Sequence, residues 1–210
     1  SILINRGITN FMADKRELAF DDFNKALILS PETAHITLSN RGFAYFLSGE
    51  YAKAIEDLNK VIELNFKDAA VYNALGNVYN AMGEQEKAIE NFSEALRLEP
   101  QYVDALYNRG IAYHLKKEHE LAIADLSKAI RISSGDAEIL SSRGVVYSVL
   151  GEHERAFDDF AQAEELNPNN ANVYDRRGFV YYTIGEFDKA LNEFNKALTI
   201  IPDDPSFLSN

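Results

Sequence analysis

Apolar positions along the chain follow a helical spacing that is interrupted at regular intervals by short polar turns. In the second half of each interval an alanine is followed four residues later by Phe or Leu, and then three residues later by a residue that is usually small, as in Ala19, Phe23 and Ala26. Apolar residues three and four apart share one face of an α-helix, so the pattern predicts pairs of amphipathic helices. The predicted turns within the pairs contain Gly49, Gly83, Gly151 and Gly185.

The helix pairs recur at a nearly constant interval. One glycine recurs with spacings of 35, 34, 34, 34 and 34 residues, at Gly7, Gly42, Gly76, Gly110, Gly144 and Gly178. Glycine inside a helix costs about 1 kcal/mol relative to alanine, so its repetition indicates that the paired helix presses against this backbone. The aromatic residues Phe23, Phe92, Phe160 and Phe194 are then expected to fill the wider spaces between successive units.

Two further positions complete the repeat. An aromatic residue stands three positions after the glycine in five units, at Tyr45, Tyr79, Tyr113, Tyr147 and Tyr181. Proline follows the second helix in four units, at Pro31, Pro100, Pro168 and Pro202. The series of glycine, tyrosine, alanine, aromatic, alanine and proline resembles the tetratricopeptide repeat (TPR) motif over essentially the whole chain.

The resemblance implies an all-α fold, a right-handed α-solenoid of six stacked helix-turn-helix units. The expected repeats form a single array and span residues 1–34, 35–68, 69–102, 103–136, 137–170 and 171–204. Residues 205–210 are expected to begin a seventh repeat, because Phe207 to Asn210 copy the register of Thr37 to Asn40. The sequence is therefore interpreted as a piece of a longer array.

Composition narrows the possible partners and locations. The 21 Lys and Arg residues face 33 Asp and Glu residues, and the resulting net charge of −12 disfavours a nucleic-acid partner. There is no apolar run long enough to insert into a membrane. The chain has no cysteine, which fits a cytoplasmic protein but also permits a periplasmic or secreted one.

Motifs for catalysis are missing from the sequence. It contains no phosphate-binding loop, dinucleotide fingerprint, nucleophile elbow or His-Glu-x-x-His zinc signature. His119 and His153 are expected to face solvent at the start of second helices rather than to bind a metal. We therefore expect neither an enzyme nor a cofactor or metal site.

A charged pair recurs within the repeats. Arginine precedes the glycine and an acid follows it by fifteen residues in five units, whereas the third unit has Leu75 and Asn91 instead. Because the two positions change together, we hypothesise ion pairs that join the helices of one repeat or adjacent repeats; a solvated charge pattern is the alternative. The predicted pairs are Arg6 with Asp22, Arg41 with Asp57, Arg109 with Asp125, Arg143 with Asp159, and Arg177 with Glu193.

The resemblance also implies a concave groove lined by the first helix of each repeat. Asparagine side chains there can donate to and accept from the backbone of an extended peptide, while aromatic and apolar side chains can anchor it. The same residues also suit helix packing. The candidate groove residues are Asn5, Asn40, Phe43, Phe46, Asn73, Asn77, Asn108, Ile111, His114, Arg176, Phe179 and Tyr182.

The predicted groove fits a neutral or basic partner. Chaperone-binding members of the family hold a carboxylate with cationic side chains, but this chain has Glu138 and Ser142 where cations would be needed. Asp104, Glu138 and Asp175 favour a basic segment instead. We therefore predict a scaffold that binds an extended peptide or partner segment. A self-assembling scaffold that forms homo-oligomers through open ends, and the substrate-docking arm of a larger enzyme, are the alternatives.

Overall fold

Short turns divide the chain into helices of 11 to 15 residues. The structure, a computed structural model, describes residues 2–66 and 68–200. Within these ranges the structure contains twelve α-helices, one 3₁₀ turn at Pro31–Thr33 and no strand. The helices are α1 (Ile2–Met12), α2 (Arg16–Leu29), α3 (Ala34–Leu47), α4 (Tyr51–Glu63), α5 (Ala69–Ala81), α6 (Gln85–Leu98), α7 (Val103–Leu115), α8 (His119–Ser133), α9 (Ala137–Val149), α10 (His153–Leu166), α11 (Ala171–Thr183) and α12 (Phe187–Ile200).

The helices pair in chain order, α1 with α2 through α11 with α12, so the predicted all-α class of helix-turn-helix repeats, an α-solenoid, is confirmed. The four predicted turn glycines lie between paired helices with φ between 75° and 82°. The other two turns place Asp14 (φ 56°) and Lys117 (φ 64°) in the same left-handed conformation. These two turns contain no glycine, so the glycine pattern of the sequence did not predict them. Pro202 and the predicted start of a seventh repeat lie outside the described residues.

The glycines inside the first helices mark a close approach within each helix pair. A Cβ atom added to Gly7 would lie 2.8 Å from the ring of Phe23, and one added to Gly178 would lie 2.8 Å from the ring of Phe194. The expectation that these aromatic residues fill spaces between units is therefore incomplete. Their rings pack directly on the glycine of their own pair, because no side chain separates the ring from the helix backbone there.

The chain divides into two compact units, Ser1–Ala105 and Leu106–Asn210. In the first unit, a buried core joins α3, α4 and α5 through Leu38, Leu58, Val61, Leu75 and Val78. In the second unit, a core joins α9, α10 and α11 through Leu140, Tyr147, Phe160, Val173 and Val180. Each core combines side chains from consecutive helix pairs, which is the packing expected of stacked repeats.

Candidate functional site

A cavity in the first unit brings together four of the predicted groove residues. Phe43 and Phe46 on α3 and Asn73 and Asn77 on α5 line a space of about 200 Å³, together with Leu58, Ala74 and Val78. The first helices of two consecutive repeats therefore supply most of its wall.

The cavity combines an apolar lining with amide groups. Leu58 and Val78 are buried, whereas Phe43 is 54% exposed and reaches solvent. Asn73 is buried and hydrogen-bonds with the hydroxyl of Tyr102. The Asn77 side chain is half-buried and makes no side-chain hydrogen bond within residues 2–66 and 68–200. Its amide is thus the polar group of this cavity that is available to a ligand.

The other asparagines predicted to form a row have different surroundings. Asn5 on α1 is exposed. The Asn40 side-chain nitrogen donates to the carbonyl oxygen of Ile36 at 2.8 Å, one turn earlier in its own helix. Asn108 lies half-buried on α7. A helix carbonyl therefore competes with a ligand for the donor of Asn40.

In the second unit, Arg176 is engaged by the neighbouring first helix rather than open to a ligand. Its guanidinium forms an ion pair with Glu138 and donates to the hydroxyls of Ser141 at 2.6 Å and Ser142 at 3.1 Å. The Tyr107 hydroxyl also donates to Glu138, at 3.3 Å. The charge of Glu138, which we predicted to attract a basic partner, is therefore already compensated inside the protein.

Asp175, the neighbour of Arg176 on α11, is placed differently. It is half-buried and forms no hydrogen bond or ion pair within the described part of the chain. Burial raises the pKa of its carboxyl group, and the charge of Arg176 only partly opposes this effect. Asp104, the third acid predicted to attract a basic partner, is exposed at the start of α7.

The predicted aromatic anchors belong to two clusters that occupy equivalent places in different repeats. In the second unit, the ring centroids of Phe179 and Tyr182 lie 6.3 Å apart, and Tyr182 lies 5.8 Å from Phe187 on α12. In the first unit, Phe43, Phe46 and Tyr51 repeat this arrangement with centroid distances of 6.4 and 6.1 Å. The sequence interpretation missed Tyr51 and Phe187. Both are aromatic residues nine positions after the repeat glycine, and this shared position could have identified them.

A histidine pair occupies the same place in the fourth repeat. The Nδ1 atoms of His114 and His119 lie 3.2 Å apart, so one imidazole donates to the other. His119 is partly buried against His114, which corrects the expectation that it faces solvent. Burial lowers the pKa of His114, and the neighbouring His119 lowers it further. Ile111, one turn before His114, is half-buried.

The predicted charge pairs lie within single helix pairs. Each arginine donates through Nε and Nη2 to the carboxylate of its predicted acid at 2.5 to 2.9 Å. The acids are buried, and the arginines of four pairs are largely buried as well, whereas Arg6 remains exposed. In the third repeat, Leu75 packs in the core instead.

The remaining nitrogen of the guanidinium connects successive helix pairs. Arg143 Nη1 donates to Ser127 on α8 at 2.9 Å, and Arg177 Nη1 donates to Glu164 on α10 at 2.7 Å. Arg41 makes the equivalent bond to Asn24 on α2. In these three repeats one arginine therefore contacts both its own helix pair and the preceding one; the contact to the preceding pair is an ion pair only for Arg177 and Glu164.

No three His, Asp or Glu side chains form a cluster suited to a metal ion within the described ranges. Among residues 2–66 and 68–200, no helix combines the length and the apolar character needed to cross a bilayer.

Comparison with known proteins adds independent information. A family model described as TPR repeat matches residues 42–83 and 76–117, and models described as tetratricopeptide repeat match residues 103–136, 137–170 and 171–204. None of the curated proteins compared with this chain matches it.

Several solved structures are similar to the chain. MamA is 27% identical, with a TM-score of 0.65 over 77% of this chain and 94% of MamA. YrrB, a TPR protein, is also 27% identical, with a TM-score of 0.64 over 89% of this chain and 95% of YrrB. A tetratricopeptide repeat protein from Parabacteroides merdae is 20% identical and has a TM-score of 0.81 over 94% of this chain and 78% of its own, which supports the fold alone.

The family models together cover most of the chain, and the helix pairs repeat with the same period. Repeats of this kind generally form scaffolds for protein–protein interaction rather than catalytic sites. The chain belongs to the tetratricopeptide repeat family.

Proposed function

We propose that the chain holds an extended segment of a partner protein across α3 and α5, the first helices of two consecutive repeats, with one apolar side chain of that segment in the cavity of the first unit. The observation that carries this proposal is the shared lining by Phe43, Phe46, Asn73 and Asn77, which come from two consecutive repeats. A segment that crosses α3 and α5 would touch all four residues.

The size and lining of the cavity favour an aliphatic or aromatic side chain. An apolar cavity of about 150 Å³ accommodates benzene, and this one measures about 200 Å³. Full burial of a Leu or Phe side chain contributes about 1.5–3 kcal/mol. Such a side chain would therefore be a main anchor of the partner.

Asn77 supplies the polar part of recognition. Its amide can donate to a peptide carbonyl and accept from a peptide N–H at the same time. An extended segment exposes both groups, so one asparagine can hold its backbone whatever its sequence. Asn73 is buried and hydrogen-bonded to Tyr102, so it would instead fix the shape of the cavity wall.

A similar protein gives additional support. YrrB is described as a TPR protein with an unusual peptide-binding site, and it aligns over most of this chain. Peptide binding by a relative of comparable length makes a peptide the first ligand to test.

The test begins with selection of displayed random peptides on the immobilised chain. A selected peptide would then be titrated by calorimetry into the wild type and the Phe43→Ala and Asn77→Ala variants. We expect about a tenfold or larger loss of affinity for each variant, because one loses the apolar wall and the other the backbone contact.

Ile28→Ala is the matched control, since Ile28 is an exposed apolar residue on α2 that does not line the cavity. It should bind as tightly as the wild type. Peptides without a common apolar residue, or equal affinities for all variants, would contradict the proposal.

A further inference from the structure

One stripe of α11 combines a carboxylate with two aromatic rings. Asp175, Phe179 and Tyr182 are spaced four and three residues apart, so their side chains lie on the same face of the helix. Phe187, at the start of α12, contacts Tyr182 and extends the stripe. The stripe belongs to the second unit and is separate from the cavity described above.

The carboxylate of Asp175 has no directly bonded partner among the described residues. Arg176 is adjacent in sequence, but its guanidinium is held on α9 by Glu138, Ser141 and Ser142. Asp175 itself is partly removed from water and forms no ion pair within the described ranges. A cation that reached this carboxylate would therefore gain a strong charge-assisted hydrogen bond.

The aromatic side chains of the stripe are more than half exposed. Phe179, Tyr182 and Phe187 are 58%, 56% and 58% exposed. A contiguous apolar patch of this kind is typical of an interaction surface. Aromatic faces also attract cations, and the planar guanidinium of arginine stacks on them better than the ammonium of lysine does.

We infer that this stripe, Asp175 with Phe179, Tyr182 and Phe187, binds an arginine side chain of the partner. The guanidinium donates two hydrogen bonds to the Asp175 carboxylate, and its flat face lies on the neighbouring aromatic ring. The inference rests on the proposed function, because it specifies a side chain that a partner protein would present to the second unit. It also explains why an acidic scaffold would select a basic segment.

The first unit contains a natural comparison for this site. Phe43, Phe46 and Tyr51 reproduce the three rings. Ser39 stands where the stripe has Asp175, four residues before the first ring in both cases. The cluster in the first unit therefore offers aromatic surface without the charge, which suits an apolar side chain.

The test uses the whole chain labelled with ¹⁵N and small probes that need no known partner. N-acetyl-arginine methylamide would be titrated while the backbone amide signals of α11 are followed by NMR. Its citrulline counterpart has the same shape without the charge. We expect the arginine probe to shift the α11 signals with at least about tenfold higher affinity than the citrulline probe.

Asp175→Asn is the decisive variant, because it preserves the shape of the side chain and should bind both probes equally. Asp158→Asn, which removes an exposed acid on α10 of the same unit, should keep the preference for arginine. Ser39→Asp should create such a preference at α3. Equal binding of the two probes by the wild type, or a preference that survives in Asp175→Asn, would overturn the inference.

Failure of this inference can be distinguished from failure of the proposed function. The Phe43 and Asn77 variants do not alter the stripe, so their response to the arginine probe should match that of the wild type. Loss of peptide binding in those variants together with equal binding of the two probes would reject the arginine site alone.

Discussion

Arg143 holds Asp159 through two parallel hydrogen bonds, Nε to Oδ2 at 2.9 Å and Nη2 to Oδ1 at 2.7 Å. Asp159 is almost completely buried, and its partner comes from the preceding helix of the same pair. The third guanidinium nitrogen donates to Ser127 in the helix pair before. One side chain thus stabilises contacts within a repeat and between repeats.

Replacing Arg143 by leucine is therefore expected to destabilise the chain by about 3–5 kcal/mol, because it leaves the Asp159 carboxylate buried without a partner. The free energy of unfolding in urea, followed by circular dichroism, measures the loss. The double variant Arg143→Leu/Asp159→Asn reproduces the Leu75 and Asn91 combination of the third repeat and should recover most of it.

Lys60→Leu provides a control for that experiment, since Lys60 belongs to an exposed ion pair with Glu56. Its cost should be no more than about 1 kcal/mol. An equally small cost for Arg143→Leu would show that the buried pairs are dispensable.

Protonation of His114 should destabilise the fold. Its pKa lies below the ordinary value of 6.5, so the unfolded chain binds this proton more readily than the folded one. Stability contributed by neutral His114 is present at pH 8 and is lost as the pH falls below 6.5. The melting temperature of the wild type should therefore decrease between pH 7.5 and pH 5.

Phe46 occupies the place of His114 in the second repeat, so His114→Phe is the matched variant. It cannot take up the proton, and its melting temperature should fall less over the same pH interval. An identical pH dependence in the two proteins would show that other groups cause the decrease.

Lys117→Gly is expected to stabilise the turn between α7 and α8. A residue with a side chain pays about 1–2 kcal/mol in the left-handed conformation, whereas glycine loses about 0.5–1 kcal/mol more backbone entropy. The difference predicts a gain of up to about 1.5 kcal/mol, measured as a higher melting temperature. The reciprocal change Gly151→Lys should be destabilising, and a loss of stability in Lys117→Gly would contradict this explanation.

The fold could be predicted from the sequence because the same packing contact recurs in each repeat. Gly7 and Phe23, or Gly178 and Phe194, must be sixteen residues apart for the ring to rest on the helix backbone. The constant spacing of the repeat glycines was enough to predict the helix pairs, without knowledge of any long-range contact. The turn at Lys117 was missed because the left-handed conformation was sought only through glycine.

The candidate site was less predictable because it depends on contacts that no repeat rule specifies. Position within the motif was enough to bring Phe43 and Asn77 to one cavity. It could not show that Arg176 turns toward Glu138, thirty-eight residues earlier, and leaves Asp175 without an ion-pair partner in the described part of the chain. Such choices depend on side-chain conformation and on neighbours that differ from one repeat to the next.

The shared guanidinium has a consequence for how the repeats come apart. Arg143 on α9 bonds both Asp159 on α10 and Ser127 on α8. Opening one helix pair would therefore break a bond of the other, so the two pairs should separate together. The third repeat carries Leu75 at that position, so α5 has no arginine to donate to α4, and Leu75 packs in the apolar core that the two helices share. We expect hydrogen exchange to reveal a boundary there, with α3 and α4 exchanging independently of α5 and α6.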